Sequence, residues 1–179
     1  ALPVAGLVVR HRGYFSALIE KVTFVGFALP GIVVALALVF FGINLATPVY
    51  QTIILLAFAY VILFLPAAVS AARTSLLQVS PSVEEAARSL GRGPLRVIIS
   101  ITLPLLRTGL LAGAAMVFLL AMKELPATLI LSPTGFTTLA TSVWFAASEA
   151  FFARAAVPSL LLILVTSIPL VWLLRRGER

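Results

Sequence analysis

The chain has 179 residues, 61% of them hydrophobic and only 11% charged, against roughly 25% charged in a soluble domain; this is the composition of a membrane protein. The formal charge of +7 does not indicate nucleic acid, because the basic residues cluster at the ends of apolar runs, where membrane topology places them. Cysteine is absent, which excludes disulfides and thiolate metal sites.

Ala1 to Val9 is apolar with no basic region before it, unlike a secretory signal peptide. It is expected to be the last turns of a helix that begins earlier in a longer protein. Arg10-His11-Arg12 and Lys21 frame a short polar connection in which the single histidine is a solvated loop residue. No residue from Val22 to Ala72 is charged. One helix crosses the hydrocarbon in about 20 residues, so this run predicts two spans, 22–42 and 49–72, with a turn between Gly42 and Pro48. Pro30-Gly31 is expected to kink the first span, because proline removes a backbone hydrogen bond. Pro66 lies late in the second, which Arg73 closes.

Residues 73–107 form a polar loop carrying Arg73, Arg88, Arg92, Arg96 and Arg107 against Glu84 and Glu85. A third apolar region, 108–131, is interrupted by Lys123-Glu124 and Pro126. A stretch rich in Thr, Ser, Pro and Gly follows, with Trp144 suited to a membrane interface. The fourth span, 155–174, ends in the basic tail Arg175-Arg176-Gly177-Glu178-Arg179. The basic residues fall in the first connection, the 73–107 loop and the tail, so the positive-inside rule places all three in the cytoplasm. The expected fold is all-α, a polytopic transmembrane helix bundle forming one domain over 1–179.

Two segments stand out within this frame. A charge at mid-membrane costs about 2.5–3.5 kcal/mol on insertion scales, so Lys123 and Glu124 are expected to face a translocation path or gate. Pro126 frees a carbonyl beside them. Neighbouring helix positions point in different directions, so the two do not neutralise each other directly. An interhelical structural pair and a helix end at the outer interface are the alternatives. The second segment, Ser80 to Gly91, predicts a short capped helix. Either Ser82 caps it with Glu85 at capping-box spacing, or Ser80 does, with Pro81 in the first turn. Gly91 suits the left-handed residue that ends a helix. Val83, Ala86, Ala87 and Leu90 have helical spacing and form a narrow apolar stripe, which belongs either on lipid headgroups or on a partner.

The pattern Glu85-Ala86-Ala87-x3-Gly91-x9-Ile101-x-Leu103-Pro104 resembles the signature loop of ABC-transporter permeases. The resemblance implies a type I importer permease fold, multi-pass in a bacterial inner membrane, with a short cytoplasmic coupling helix inserted in a groove of an ABC ATPase subunit. It makes Glu85 the polar contact and Leu90 an apolar anchor. Ala86 and Ala87 allow close approach, Gly91 sets the turn, and Ile101, Leu103 and Pro104 return the chain to the membrane. ATP and Mg belong to the partner, since Gly91-Arg92-Gly93 lacks the phosphate-binding G-x-x-x-x-G-K-[ST] pattern. No cofactor, metal or catalytic residue is expected on this chain. The implied partners are the ATPase, a periplasmic or extracellular substrate-binding protein, a second permease half (fused or separate) and the lipid bilayer, with no nucleic acid.

Phe27-Ala28-Leu29-Pro30-Gly31, Lys123-Glu124-Leu125-Pro126-Ala127-Thr128 and Thr134-Gly135-Phe136-Thr137-Thr138-Leu139-Ala140-Thr141 with Trp144 look like the C-terminal half of the ferric-iron permease branch. Sulfate, molybdate, thiamine, polyamine and phosphonate permeases share much of this pattern. A passive channel would have no use for an ATPase dock. An intramembrane enzyme would need motifs such as H-E-x-x-H or G-x-S-x-G, which are missing. Tyr50 and Tyr60 belong to one span but fall on different faces of it and do not form a ferric clamp; the resemblance implies that the binding protein selects the substrate.

Overall fold

The computed structural model describes residues 1–11 and 13–177, and the side chains of 174, 176 and 177 are not among those described. The described residues form helices joined by short connections, with no strand. Three of the described helices are long and apolar enough to cross a membrane, and a bent pair has the combined length and composition of a broken span or a re-entrant loop.

That pair departs most from the sequence expectation. A single kinked helix over 22–42 is replaced by α1 (Leu2–Arg10) followed by α2 (Tyr14–Ala28) and α3 (Gly31–Leu45), the latter two bent by 106°. Proline disfavours the helical region for the residue before it. Leu29 is accordingly extended, at φ −94° and ψ 126°, and Pro30 sits at the N-cap of α3 instead of inside a helix. Proline here terminates one helix and starts another.

After a 3₁₀ turn at Thr47–Val49, α4 (Ile53–Leu77) runs the full depth of the bundle. It is displaced toward the C-terminus from the expected 49–72. Pro66 lies inside it and leaves the Ile62 carbonyl without its usual helical donor. Gly26 of α2 packs on that carbonyl, so closely that a Cβ at 26 would lie 2.3 Å from the oxygen.

The loop over 73–107 is shorter than expected. After α5 (Pro81–Ser89), helix resumes at α6 (Pro94–Val97) and passes through a π turn, Ile98–Thr102, into α7 (Leu103–Met122). The rod from Pro94 to Met122 is 29 residues long. The third span therefore starts well before 108 and stops at 122, not 131. The π turn follows from Pro104, which has no N–H to give a carbonyl one turn back; Leu103 N–H instead bonds Ile98 O. Beyond a break at 123–125 come α8 (Pro126–Leu131), α9 (Leu139–Ser148) and α10 (Phe152–Gly177). The expected fourth span lies within α10.

Helix α4 is shared by both apolar cores. One joins it to α3 and α8 through Val34, Ala35, Leu38, Leu55, Ala59 and Leu131. The other joins it to α1 and α7 through Ala5, Val69, Ala72, Leu76 and Leu106. The α4–α7 crossing depends on small residues. A Cβ at Gly113 would lie 2.5 Å from Ala71 Cβ, and one at Gly109 would lie 1.9 Å from Ser75 Oγ. Gly109 and Gly113 have the small-xxx-small spacing that lets membrane helices approach closely. The α10 span, by contrast, has none of its apolar window buried within this chain.

Gly113→Leu should therefore force α4 and α7 apart, at the roughly 1–3 kcal/mol typical of overpacking. A lower apparent melting temperature of the purified full-length protein, followed by fluorescence-detected size exclusion, is the expected result.

Candidate functional site: an outward helix face and a paired helix break

Ser80 caps α5, its side chain accepting from Ser82 N–H at 3.4 Å, and Pro81 occupies the first turn. The earlier of the two starts is therefore the one adopted. At the other end Gly91 has φ +78°. Gly91 N–H bonds Arg88 O at 2.9 Å, while Arg92 N–H bonds Ala87 O at 3.2 Å. These paired bonds form a Schellman cap, which needs a left-handed residue at this position.

The apolar stripe expected on α5 divides in two. Ala87 is buried and packs inward, whereas Val83 and Ala86 are exposed and Leu90 is 83% exposed. Glu85 is also exposed, and among the described residues neither a hydrogen bond nor an ion pair holds its side chain. Three apolar residues and one free carboxylate thus lie on the outer surface of a short helix beside the membrane spans.

Glu84 behaves oppositely. Its Oε1 accepts from Arg10 Nη2 and from Thr102 Oγ1, both at 3.1 Å. The same Arg10 Nη2 donates to Val79 O at 3.1 Å. Sequence reasoning treated Arg10 as a topology marker and Glu84 as one of the acidic residues of the 73–107 loop, and it did not single out Thr102. No local pattern links residues so far apart in the chain. Ile101 is half-buried and Leu103 and Pro104 are exposed; all three lie on the π turn and the first turn of α7, not in a loop.

One end of the bundle collects these features. A cleft of 920 Å³ is lined by Gln78, Ser80 and Val83 beside the start of α5, by Gly109 of α7 and by Trp172 near the end of α10. Arg73, four residues before the end of α4, pairs with Glu20 of α2. The end of α1, the start of α2, α5 and the end of α10 therefore share one side. Arg12 and the last two residues of the basic tail lie outside the described residues.

The second expected site lies where two helix breaks meet. Lys123 is exposed and caps α7, while Glu124 is half-buried. Glu124 Oε1 accepts from Ala127 N–H at 3.0 Å, satisfying an otherwise orphaned donor in the first turn of α8. That oxygen also rests on Gly31, the first residue of α3, where a Cβ would lie only 2.8 Å away. Thr128 is fully buried; its hydroxyl donates to Glu124 O at 2.9 Å and lies 2.5 Å from Tyr60 Oη. Glu124 thus ties the α7–α8 break to the α2–α3 break, and Lys123 takes no part in this network. Pro126 opens α8 and is exposed. Glu124 therefore caps α8 and lies against Gly31, and it forms no ion pair with Lys123 among the described residues.

With this geometry in view, the chain belongs to the family described as binding-protein-dependent transport system inner membrane component, whose model matches residues 1–178. The chain is thus an ABC permease family member, and its long apolar helices make it multi-pass. It is 41% identical to the Fe(3+)-transport system permease protein FbpB 2 of Haemophilus influenzae over 98% of this chain and 35% of that protein. The chain therefore spans about a third of that relative. A Salmonella typhimurium protein carrying the name of a 2-aminoethylphosphonate transport system permease, PhnV, is 31% identical over 59% of this chain and 40% of its own length. The molybdenum transport system permease protein ModB of Escherichia coli is 31% identical over 70% of this chain and 59% of its own. Among solved structures, a chain of the inward-facing MetNI methionine ABC transporter superposes with TM-score 0.72 and 13% identity, covering 99% of this chain and 84% of that one. The type I permease fold expected from the sequence is thereby established.

Two substitutions probe this geometry. Gly91→Ala meets no steric obstacle but must hold a left-handed backbone, costing about 1–2 kcal/mol. Faster proteolysis within residues 80–93 should report the loosened cap. Gly31→Val displaces the Glu124 carboxylate and orphans Ala127 N–H, at about 0.5–2 kcal/mol for the lost cap. Its expected outcome is a lower melting temperature with the α5 region equally protease-resistant.

Proposed function

We propose that this chain is one permease half of an ATP-driven importer in a bacterial inner membrane, with α5 as its coupling helix and ferric iron as its preferred cargo. The end of the bundle that gathers Arg10, Arg88, Arg92, Arg96 and Arg175 faces the cytoplasm in this reading, as the positive-inside rule requires. A separate ATPase subunit, carrying ATP and Mg, receives α5. A binding protein outside the membrane delivers the cargo, and a second permease half completes the path against the uncovered apolar faces.

The observation that carries the coupling role is the division of α5 into two faces. Leu90 and Ala86 are exposed, Val83 is exposed at the edge of the cleft, and Glu85 is exposed on another side of the helix, while Glu84 and Ala87 are turned inward. Ala86 admits a partner close to the helix backbone, and Leu90 offers a side chain to a pocket. The choice of iron is supported by the 41% identity to a ferric permease over nearly the whole chain. Oxyanion cargo is the second reading, supported by the likeness to ModB and PhnV. Lys123, Glu124 and Pro126 are assigned to a gate, where a jointed pair of broken helices is suited to change angle.

Burying Leu90 in a groove is worth about 1.5–3 kcal/mol, so Leu90→Asp should weaken the ATPase subunit's binding tenfold or more, and Glu85→Lys should weaken it as well. In liposomes holding the complete transporter, iron-loaded binding protein should stimulate ATP hydrolysis in the parent and not in either variant. Stimulation only by molybdate- or phosphonate-loaded binding protein would discard iron. Full stimulation in both variants would remove α5 from the coupling role.

A further inference from the structure

We propose that Glu84 and Arg10 are positioning residues that lock α5 to α1 and to the foot of α7, so that the three move as one rigid piece. The proposal rests on reading α5 as the coupling helix. Its basis is a single oxygen, Glu84 Oε1, which receives both Arg10 Nη2 from α1 and Thr102 Oγ1 from the π turn at 3.1 Å. Arg10 Nη2 also holds Val79 O, in the α4–α5 connection, at 3.1 Å. Four segments of the chain therefore meet at two side-chain atoms.

The knot lies largely out of water. The Arg10 and Glu84 side chains are 20% and 12% exposed, and Thr102 is buried. Removing one partner of such a pair leaves an uncompensated charge in a poorly solvated place. Little else fixes the orientation of α5. It has nine residues, of which Ala87 alone is buried, and a helix this short is marginal by itself. The Arg73–Glu20 pair nearby is more exposed, at 44% and 30%, and does not touch α5. A push on the outward face of α5 is consequently delivered to α1 at Arg10 and to α7 at Thr102. Without the knot, the push would pass through the chain connections at 78–80 and 90–93 and through the packing of Ala87 and of α5 on α6, none of which reaches α1 by a polar contact.

Paired cysteines at Leu2 and Ser89, introduced into the complete transporter with any other cysteines replaced, can carry spin labels on α1 and α5. The expected result is one narrow distance distribution, unchanged between nucleotide-free and ATP-trapped states. Glu84→Gln and Arg10→Gln should each broaden it and raise the ATP hydrolysed per cargo transported at least threefold, with ATPase-subunit binding within twofold of the parent. Arg10→Gln/Glu84→Gln together, leaving a neutral amide pair, should recover at least half of the coupling. A parent distance that shifts with nucleotide, or single variants that couple normally, would overturn the proposal; so would loss of ATPase binding in Glu84→Gln, which would make Glu84 a docking contact. Glu85→Lys is the separate control: if it binds the ATPase normally, the coupling-helix reading fails, while the Glu84→Gln distance in the nucleotide-free state still reports on the knot.

Discussion

Hydrocarbon offers a backbone no hydrogen-bond partner, so helix ends within an apolar bundle must find their partners within the protein. This chain breaks two apolar helical segments, after Ala28 and after Met122, and brings the two breaks together. Glu124 is the joint: its carboxylate serves Ala127 N–H and abuts Gly31. The neighbouring Thr128 hydroxyl serves Glu124 O and reaches Tyr60. A residue that composition marks as an insertion cost is here a capping group. The cost is offset because the charge sits beside the N-terminus of the fifteen-residue α3, where the helix dipole favours an anion.

Close packing follows from the same constraint. Lipid is as apolar as leucine, so helices in a bilayer gain little by burying large side chains and associate through backbone proximity. Gly26 fits over the Ile62 carbonyl that Pro66 leaves free, and Gly109 and Gly113 let α7 lie on Ser75 and Ala71. With α1, α2, α3, α7 and α8 all packed against it, α4 is the axis of the molecule.

Much of this was legible in the sequence, and the gaps have physical causes. Uncharged runs locate membrane spans because charge is costly there, and four spans were expected where the structure has three long helices and one broken pair. The EAA pattern located α5, and Gly91 was recognisable because few other residues accept φ +78°. Pro30 was misjudged as a kink, because the choice between kinking and breaking depends on whether Glu124, far along the chain, comes to lie against Gly31. The extent of the 73–107 loop was overestimated because polar residues such as Arg96 and Ser100 can stand on an exposed helix as readily as in a coil. The Gly109–Gly113 spacing was a readable signal that passed unused, whereas Thr102 gave none.

Adjacent glutamates have diverging fates on α5 because consecutive residues on a helix are turned by about 100°. That rotation points Glu84 into the bundle, toward Arg10, and leaves Glu85 in solvent. The distinction is not interchangeable by a register slip, since Ala87 must remain inward with Glu84 and Leu90 outward with Val83 and Ala86. Rotating the helix by one residue would bury Glu85 without an arginine and expose Glu84 beside an orphaned Arg10. The inward charge pair thus specifies which face of α5 looks out. That is a role in orientation more than in stability, consistent with buried ion pairs adding little net stabilisation. A surface of three small or aliphatic side chains and one carboxylate can be presented at a fixed angle only because its neighbour is already tied down.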